Sequence, residues 1–218
     1  RLKKQLRSNK DSQKEDDILN KITEKIEDGG AARDIVFEDE DLKLIKPLGL
    51  LTLKPIIYAS NLPENELSEG NSYFQEVSSY AQKQNADTIK ISAQVEAEMI
   101  ELGKEERKDY LEGLGVKEGG LEALINTTYR ILGLRTYFTT GAKETRAWTI
   151  KAGMFAPQAA GVIHTDFERG FIRAQTIGYK KLLEAGSLSD ARSKGWLRSE
   201  GKDYLVEEGD VMEFLFNV

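Results

Sequence analysis

The stretch YASNLPENEL, Tyr58 to Leu67, runs an apolar strand directly into Asn61-Leu62-Pro63-Glu64. The Asn61 amide offers both a donor and an acceptor, whereas the Glu64 carboxylate at neutral pH only accepts. A second corner, Ser92-Ala93-Gln94, follows the next apolar run. Its small side chains let backbone N–H groups come close to a flat ligand. Residues of these types recognise the edge of a planar heterocycle; none of them is placed to make or break a bond. NLPE alone also reads as a turn, since Asn and Pro are turn formers. The matching corner at Ser92-Ala93 favours a base site over a plain turn.

The elements that must hold these corners follow from periodicity. KPIIYAS has the continuous apolar character of a strand buried on both faces, and DTIKISA reads as a second strand. Between them NSYFQEVSSYAQKQ is a helix with Tyr73, Phe74, Val77, Tyr80 and Ala81 on one face. Helices are expected over 95–112 and 119–132, the latter with Leu121, Leu124, Ile125, Thr128 and Leu132 facing inward. Strand, helix, strand, helix is the pattern of a parallel α/β sheet, whose ligands sit beyond the carboxyl ends of the strands. Both corners occupy that place. Two strands are too few for a stable doubly wound sheet, so further strands are expected from outside the chain.

The flanking regions have a different texture. Residues 1 to about 28 read as helix, with Ile18, Leu19, Ile22 and Ile26 along one stripe. Ser12 with Glu15 makes a capping box that would start a new helix, and Gly29-Gly30 is a stop. So narrow a stripe suits a two-helix coil or a solvated surface helix. FEDEDLKLIKPLGLL reads as a short amphipathic helix. After Leu134, RTYFTTGAKETRAWTI is a hairpin with Gly141 in its turn. PQAAGVIHTDFERG is helical, FIRAQTI a strand, and YKKLLEAGSLSDARSKG helical or irregular. DYLVEEGDVMEFLFNV gives two strands around Glu208-Gly209-Asp210. Trp148, Phe171, Phe214 and Phe216 fall on these strands as core residues.

Composition narrows the chemistry. The 218 residues carry 37 acids against 31 bases, a net charge of -6, which argues against nucleic-acid binding over the whole surface. A local basic face from Lys143, Arg146, Arg169, Arg173, Lys180 and Lys181 remains compatible with RNA. The absence of cysteine excludes disulfides, thiolate nucleophiles and zinc-thiolate sites. With His164 as the single histidine there is little basis for a transition-metal site, and the residue reads as a histidine held locally near a helix end. Glu96 and Glu98 suit a helix start, where acids complement the dipole. No apolar run is long enough for a membrane span. The opening RLKKQLRSNK has no starting Met and no apolar segment behind it, so the chain is expected to be a fragment or a processed product.

Asn-x-x-acid after one strand and Ser-Ala after the next resemble the base-recognition half of a Ras-like nucleotide domain. Guanine-specific members carry Asn-Lys-x-Asp, whose Asp accepts from guanine N1–H and the exocyclic amine. Here the acid is Glu64, one methylene longer, and Leu62 replaces the Lys. That carboxylate fits guanine poorly, while the backbone donor and acceptor of Leu62 would match adenine N1 and N6. Pro63 biases Leu62 towards extended angles.

LTLKPIIYASNLPE, KISAQVEAEMIEL, TYFTTGAKETRAWTIKAGMFAPQAAGVIHTDFERGFIRAQTI and EGKDYLVEEGDVMEFLFNV together resemble the YchF-type, or Obg-like, ATPases. The resemblance implies an α/β plus α+β chain. It places a returning coiled-coil insertion at 1–45, the last part of a Ras-like P-loop NTPase domain at 46–133, and a ubiquitin-like β-grasp (TGS) domain at 134–218. It further implies ATP in preference to GTP, Mg²⁺, a switch role at the ribosome or its RNA, no membrane, and a cytoplasmic address with an organelle stroma as the alternative. Asn61, Leu62 and Glu64 match the base motif, and Ser92 and Ala93 the second base loop. No GxxxxGK[ST] is present: Glu follows Gly103-Lys104 and Asp follows Gly201-Lys202. Phosphate loop, switches and catalytic histidine would then lie upstream, no catalytic residue is expected here, and the fragment alone is expected to be inactive. The competing reading is a non-enzymatic module in which the coil and TGS domain bind RNA or protein.

Overall fold

The computed structural model describes residues 10–141 and 144–217. The expected helix over 1–9, the Ser12 side-chain cap and Lys143 lie outside what is described. The chain divides into two compact units, 1–127 and 128–218.

The first unit opens with α1 (Lys10–Glu27), which runs continuously through Ser12, so no new helix starts there. Helix α2 (Asp39–Ile45) follows, with short 3-10 turns at 46–48 and 51–53. Ile18 and Ile22 of the α1 stripe are buried with Ala32 and Ile45, and Phe37, Leu44, Leu50 and Leu53 pack around them. The stripe is thus covered by a short helix and turns rather than by a second long helix among the described residues, and Ile26 is left 41% exposed. Lys14 Nζ stands 2.6 Å from Asp41 Oδ1, and the Arg33 guanidinium donates to the Thr52 and Lys54 carbonyls at 2.9 Å each.

Strands β1 (Ile57–Asn61) and β2 (Asp87–Ile91) pair in parallel, with Asn61 opposite Ile91. Helix α3 (Ser72–Lys83) crosses between them, its first turn capped by Asn71 Oδ1, which accepts from Phe74 N–H at 2.9 Å. Contrary to the double-sided burial expected of KPIIYAS, no β1 residue is fully buried. Tyr73 and Tyr80 are also 75% and 54% exposed, not inward. The reason is that α3 packs on a sheet of only two strands, which offers too little surface to cover both of its flanks.

The helix expected over 95–112 is two helices, α4 (Ala93–Glu98) and α5 (Lys104–Gly113), separated by a 3-10 turn. Helix α6 (Gly120–Ile131) is phased differently from the expectation. Its buried residues are Gly120 and Thr127, while Leu121, Ile125 and Leu132 are 59%, 50% and 44% exposed. Packing decides the phase. At Gly120 a Cβ would come within 2.8 Å of the Ile91 side chain, so the helix meets β2 through its smallest residue.

The second unit is built on a five-stranded mixed sheet in the order β4-β3-β7-β5-β6. The strands are β3 (Leu134–Thr140), β4 (Thr145–Lys151), β5 (Phe171–Gly178), β6 (Arg198–Glu200) and β7 (Asp210–Phe216). β3 and β7 pair in parallel, and the other neighbours are antiparallel. Helices α7 (Ala156–Ile163) and α8 (Thr165–Arg169) accompany a core of Tyr137, Ile150, Phe171, Ala174 and Met212. Helices α9 (Tyr179–Ala185) and α10 (Leu188–Ser193) accompany a second cluster with Ile177, Val211 and Phe138. Neighbours in sequence, Tyr137 and Phe138 or Met212 and Val211, divide between the two clusters, as strand alternation requires. Of the two strands expected around Glu208-Gly209-Asp210 only β7 forms. Leu205 makes an isolated bridge to Phe155, because Val206 turns its backbone N–H to the Met154 carbonyl. β6 was not expected.

Candidate base-recognition site

The ladder between β1 and β2 carries both corners to the same sheet end. Its last rung is Leu62 N–H donating to the Ile91 carbonyl at 2.8 Å. Beyond it Asn61 Oδ1 accepts from Ala93 N–H at 3.0 Å, so the two loop tips are bonded to each other. Ser92 is 2% exposed; its Oγ faces Val95 N–H at 3.5 Å and caps α4. Ala93 and Asn61 stay exposed while Leu62 is buried. The rung at Leu62 corrects one expectation. The N–H that was to serve adenine N1 is already committed to the sheet, which leaves the Leu62 carbonyl as the backbone group for a ligand edge.

Glu64 is half-buried and opens a 3-10 turn. Its Oε1 lies 3.3 Å from the Tyr110 hydroxyl, and that hydroxyl is 2.8 Å from Glu98 Oε2. One proton cannot serve both carboxylates, and the shorter contact goes to Glu98. Donation to Glu98, with burial and the nearby Glu64 charge, pushes the Tyr110 hydroxyl up to about 12. Donation from Gln94 and then from Tyr110 holds the Glu98 carboxyl below its usual range. Tyr110 was missed in the sequence because nothing local ties it to a residue so far away in the chain. Glu96 stands in the first turn of α4, and its Oε1 also faces Leu121 N–H at the start of α6 at 3.3 Å.

The other candidates resolve locally. Gly103-Lys104 begins α5, with Gly103 N–H donating to the Glu106 carboxylate at 2.7 Å. His164 Nδ1 accepts from Asp166 N–H at 3.2 Å and caps α8. Phe171 is buried, with Trp148 and Phe214 packed against the same core, whereas Phe216 is 37% exposed and stacks on Phe167 at 3.9 Å. The Arg146 guanidinium lies 4.2 Å from the Trp148 ring centroid. Among the described residues no three His, Asp or Glu side chains gather as a metal site, and no helix is long and apolar enough to cross a membrane.

Residues 134–217 match the family model described as "YchF-GTPase_C: Protein of unknown function (DUF933)". A protein of Bacillus subtilis (strain 168) named "Ribosome-binding ATPase YchF" is 48% identical over 211 residues, 96% of this chain. The chain belongs to the YchF family. It corresponds to the C-terminal portion of the curated YchF relatives, spanning 58% of the length of the Bacillus subtilis protein and 60% of its Haemophilus ducreyi counterpart, which is 45% identical over 100% of this chain. The solved structure of the Schizosaccharomyces pombe YchF GTPase superimposes with a TM-score of 0.77 at 32% identity, covering 94% of this chain and 55% of that one. A GTP-binding protein of Pyrococcus horikoshii OT3 shares the fold, with a TM-score of 0.53 at 16% identity. The names given to YchF relatives thus divide between ATPase and GTPase.

Proposed function

We propose that this chain supplies the base-recognition half of an ATP-preferring nucleotide switch that works at the ribosome. The observation that carries the reading is the bond between Asn61 Oδ1 and Ala93 N–H, which ties two strand-end loops into one exposed corner. There the exposed Asn61 amide and Ala93 would take the base edge, with buried Ser92 fixing the second loop. The Leu62 carbonyl would accept from the adenine exocyclic amine. Guanine, with an oxygen at that position, would set carbonyl against carbonyl, and an unpaired polar group costs about 1–3 kcal/mol. The Tyr110 proton goes to the closer Glu98, so discrimination against guanine rests on the Leu62 carbonyl and on the extra methylene that displaces the Glu64 carboxylate.

The residues present fit a base and not a triphosphate. ATP hydrolysis uses Mg²⁺ to offset phosphate charge; the described residues offer no cluster to hold it, and no chemical step is assigned to them. We read 1–45 as the helical insertion, 46–133 as nucleotide domain and 134–218 as a β-grasp domain of the TGS type. The last reading is supported by the β4-β3-β7-β5-β6 order with a central parallel pair. Ribosome association follows the names of the bacterial relatives and fits a cytoplasmic address. Calorimetry on the complete protein tests the reading: ATP is expected to bind about tenfold or more tightly than GTP, and equal or reversed affinities would sink it.

A further inference from the structure

Within the second unit lies a pocket of about 470 Å³ that the base site does not use. Its walls include Tyr179, Lys180, Lys181, Trp196, Arg198 and Gly209. We propose that it holds one nucleotide of single-stranded RNA, the base against the Tyr179 and Trp196 rings and the phosphodiester against Lys180 and Lys181. This rests on the ribosome reading above and gives it a contact point.

The rings are fixed before any ligand arrives. Gly209 has φ +80°, and a Cβ there would come within 2.6 Å of the Tyr179 ring, so the ring lies against bare backbone. Tyr179 N–H donates to the Gly209 carbonyl at 2.9 Å, and the ring meets Phe138 edge-on at 6.2 Å. Trp196 is half-buried, anchored in the cluster with Ile177 and Val211, with Lys194 Nζ 4.8 Å from its centroid. Fixed aromatic walls of this kind lose little entropy on stacking a base.

The charges decide the ligand class. Arg198 is already engaged: it stands 3.3 Å from Glu200 and 3.7 Å from Asp210 and donates to the Tyr204 hydroxyl at 2.8 Å. Asp210 is itself 2% exposed, so this group braces the floor. Lys180 and Lys181 are exposed and have no carboxylate ion pair among the described residues. Against them stand Glu207 and Glu208 on the same wall, the latter accepting from Thr136 N–H at 2.9 Å. Lys180 Nζ lies 6.0 Å from the Tyr179 ring centroid, at the edge of the stacking wall, and two lysines facing that much acid would leave a free nucleoside triphosphate underneutralised. With Lys180 and Lys181 set against Glu207 and Glu208 the lining is close to neutral, so it suits the smaller demand of one phosphodiester on an RNA strand, whose unstacked bases find aromatic faces.

The test uses the full chain and a labelled eight-nucleotide oligoadenylate RNA, followed by anisotropy across a salt series. Wild type is expected to bind. Lys180→Ala with Lys181→Ala should weaken binding about tenfold or more at low salt and reduce the salt slope by about 0.7, the value for one phosphate. Tyr179→Ala should cost about 5- to 100-fold. In a Trp148→Phe chain, RNA should quench the remaining Trp196 emission. The lysines are exposed, so their variants should keep the wild-type thermal transition. No binding by wild type, or unchanged affinity and slope in the double lysine variant, would overturn the proposal. Saturation of the quench by AMP, with no affinity for the oligonucleotide, would overturn it in favour of a free nucleotide. Co-sedimentation of the complete protein with ribosomes separates the two readings: failure to pellet with RNA binding intact removes the ribosome and leaves the pocket, and wild-type pelleting by the lysine variant removes the pocket.

Discussion

Replacing Asn61 with alanine deletes the acceptor for Ala93 N–H and frees the second corner from the first. Nucleotide affinity of the complete protein should fall about tenfold by calorimetry, with folding stability changed by only about 1 kcal/mol, the usual net worth of one hydrogen bond. Tyr110 gives a second handle. Its proton is held by Glu98 up to about 12, above the ordinary phenol value of about 10. A folded-state value above the unfolded one means that the folded chain keeps the proton longer. The stability contributed is therefore complete below pH ~10 and lost as pH rises towards 12. Burial also raises Tyr137 and Tyr204. Absorbance at 295 nm should thus show three of the eight tyrosines titrating late, and Tyr110→Phe should remove the one near 12. The site itself was only partly legible. Asn61 and Ser92 could be placed because turn formers at strand ends are local signals. Tyr110 could not, since its partners Glu64 and Glu98 come from other elements. The use of Leu62 N–H depended on where the ladder stops, which composition does not reveal.

At the scale of elements, Gly120 governs how close the sheet and α6 come. Gly120→Ala would press a methyl group onto Ile91, where the nearest atoms lie at 2.8 Å. Overpacking of this kind costs about 1–3 kcal/mol, and Ile91 is the register partner of Asn61. The variant should lower the denaturant midpoint of the first unit and weaken nucleotide binding together; a loss of stability alone would uncouple helix from corner. The existence and type of most elements could be read from apolar spacing. The inward face of α6 could not, because Leu121, Ile125 and Leu132 obey helical period while the close approach at Gly120 sets the rotation. For α3 the same holds: Tyr73 and Tyr80 share a helix face with Phe74, Val77 and Ala81, and a two-stranded sheet leaves the two tyrosines exposed. β6, only three residues long, is too short for alternation to register.

For the whole molecule, the division at 127 and 128 gives each part its own buried clusters. Residues 128–218 expressed alone should therefore show a cooperative thermal transition with full near-ultraviolet dichroism; a broad, featureless melt would mean the boundary is not one of stability. The chain's α/β-then-mixed-sheet sequence was visible from its change of texture after Leu134, although helix α6 carries the boundary slightly upstream. One feature of the second unit reaches beyond its equilibrium state. β7 comes last of the strands among the described residues and yet lies at the centre of its sheet, between β3 and β5. During synthesis β3 and β5 must wait, each with an open edge, until β7 has cleared the exit tunnel. Until then the nascent unit carries unpaired strand edges open to wrong pairing, and a premature stop near Asp210 would remove the keystone of the sheet.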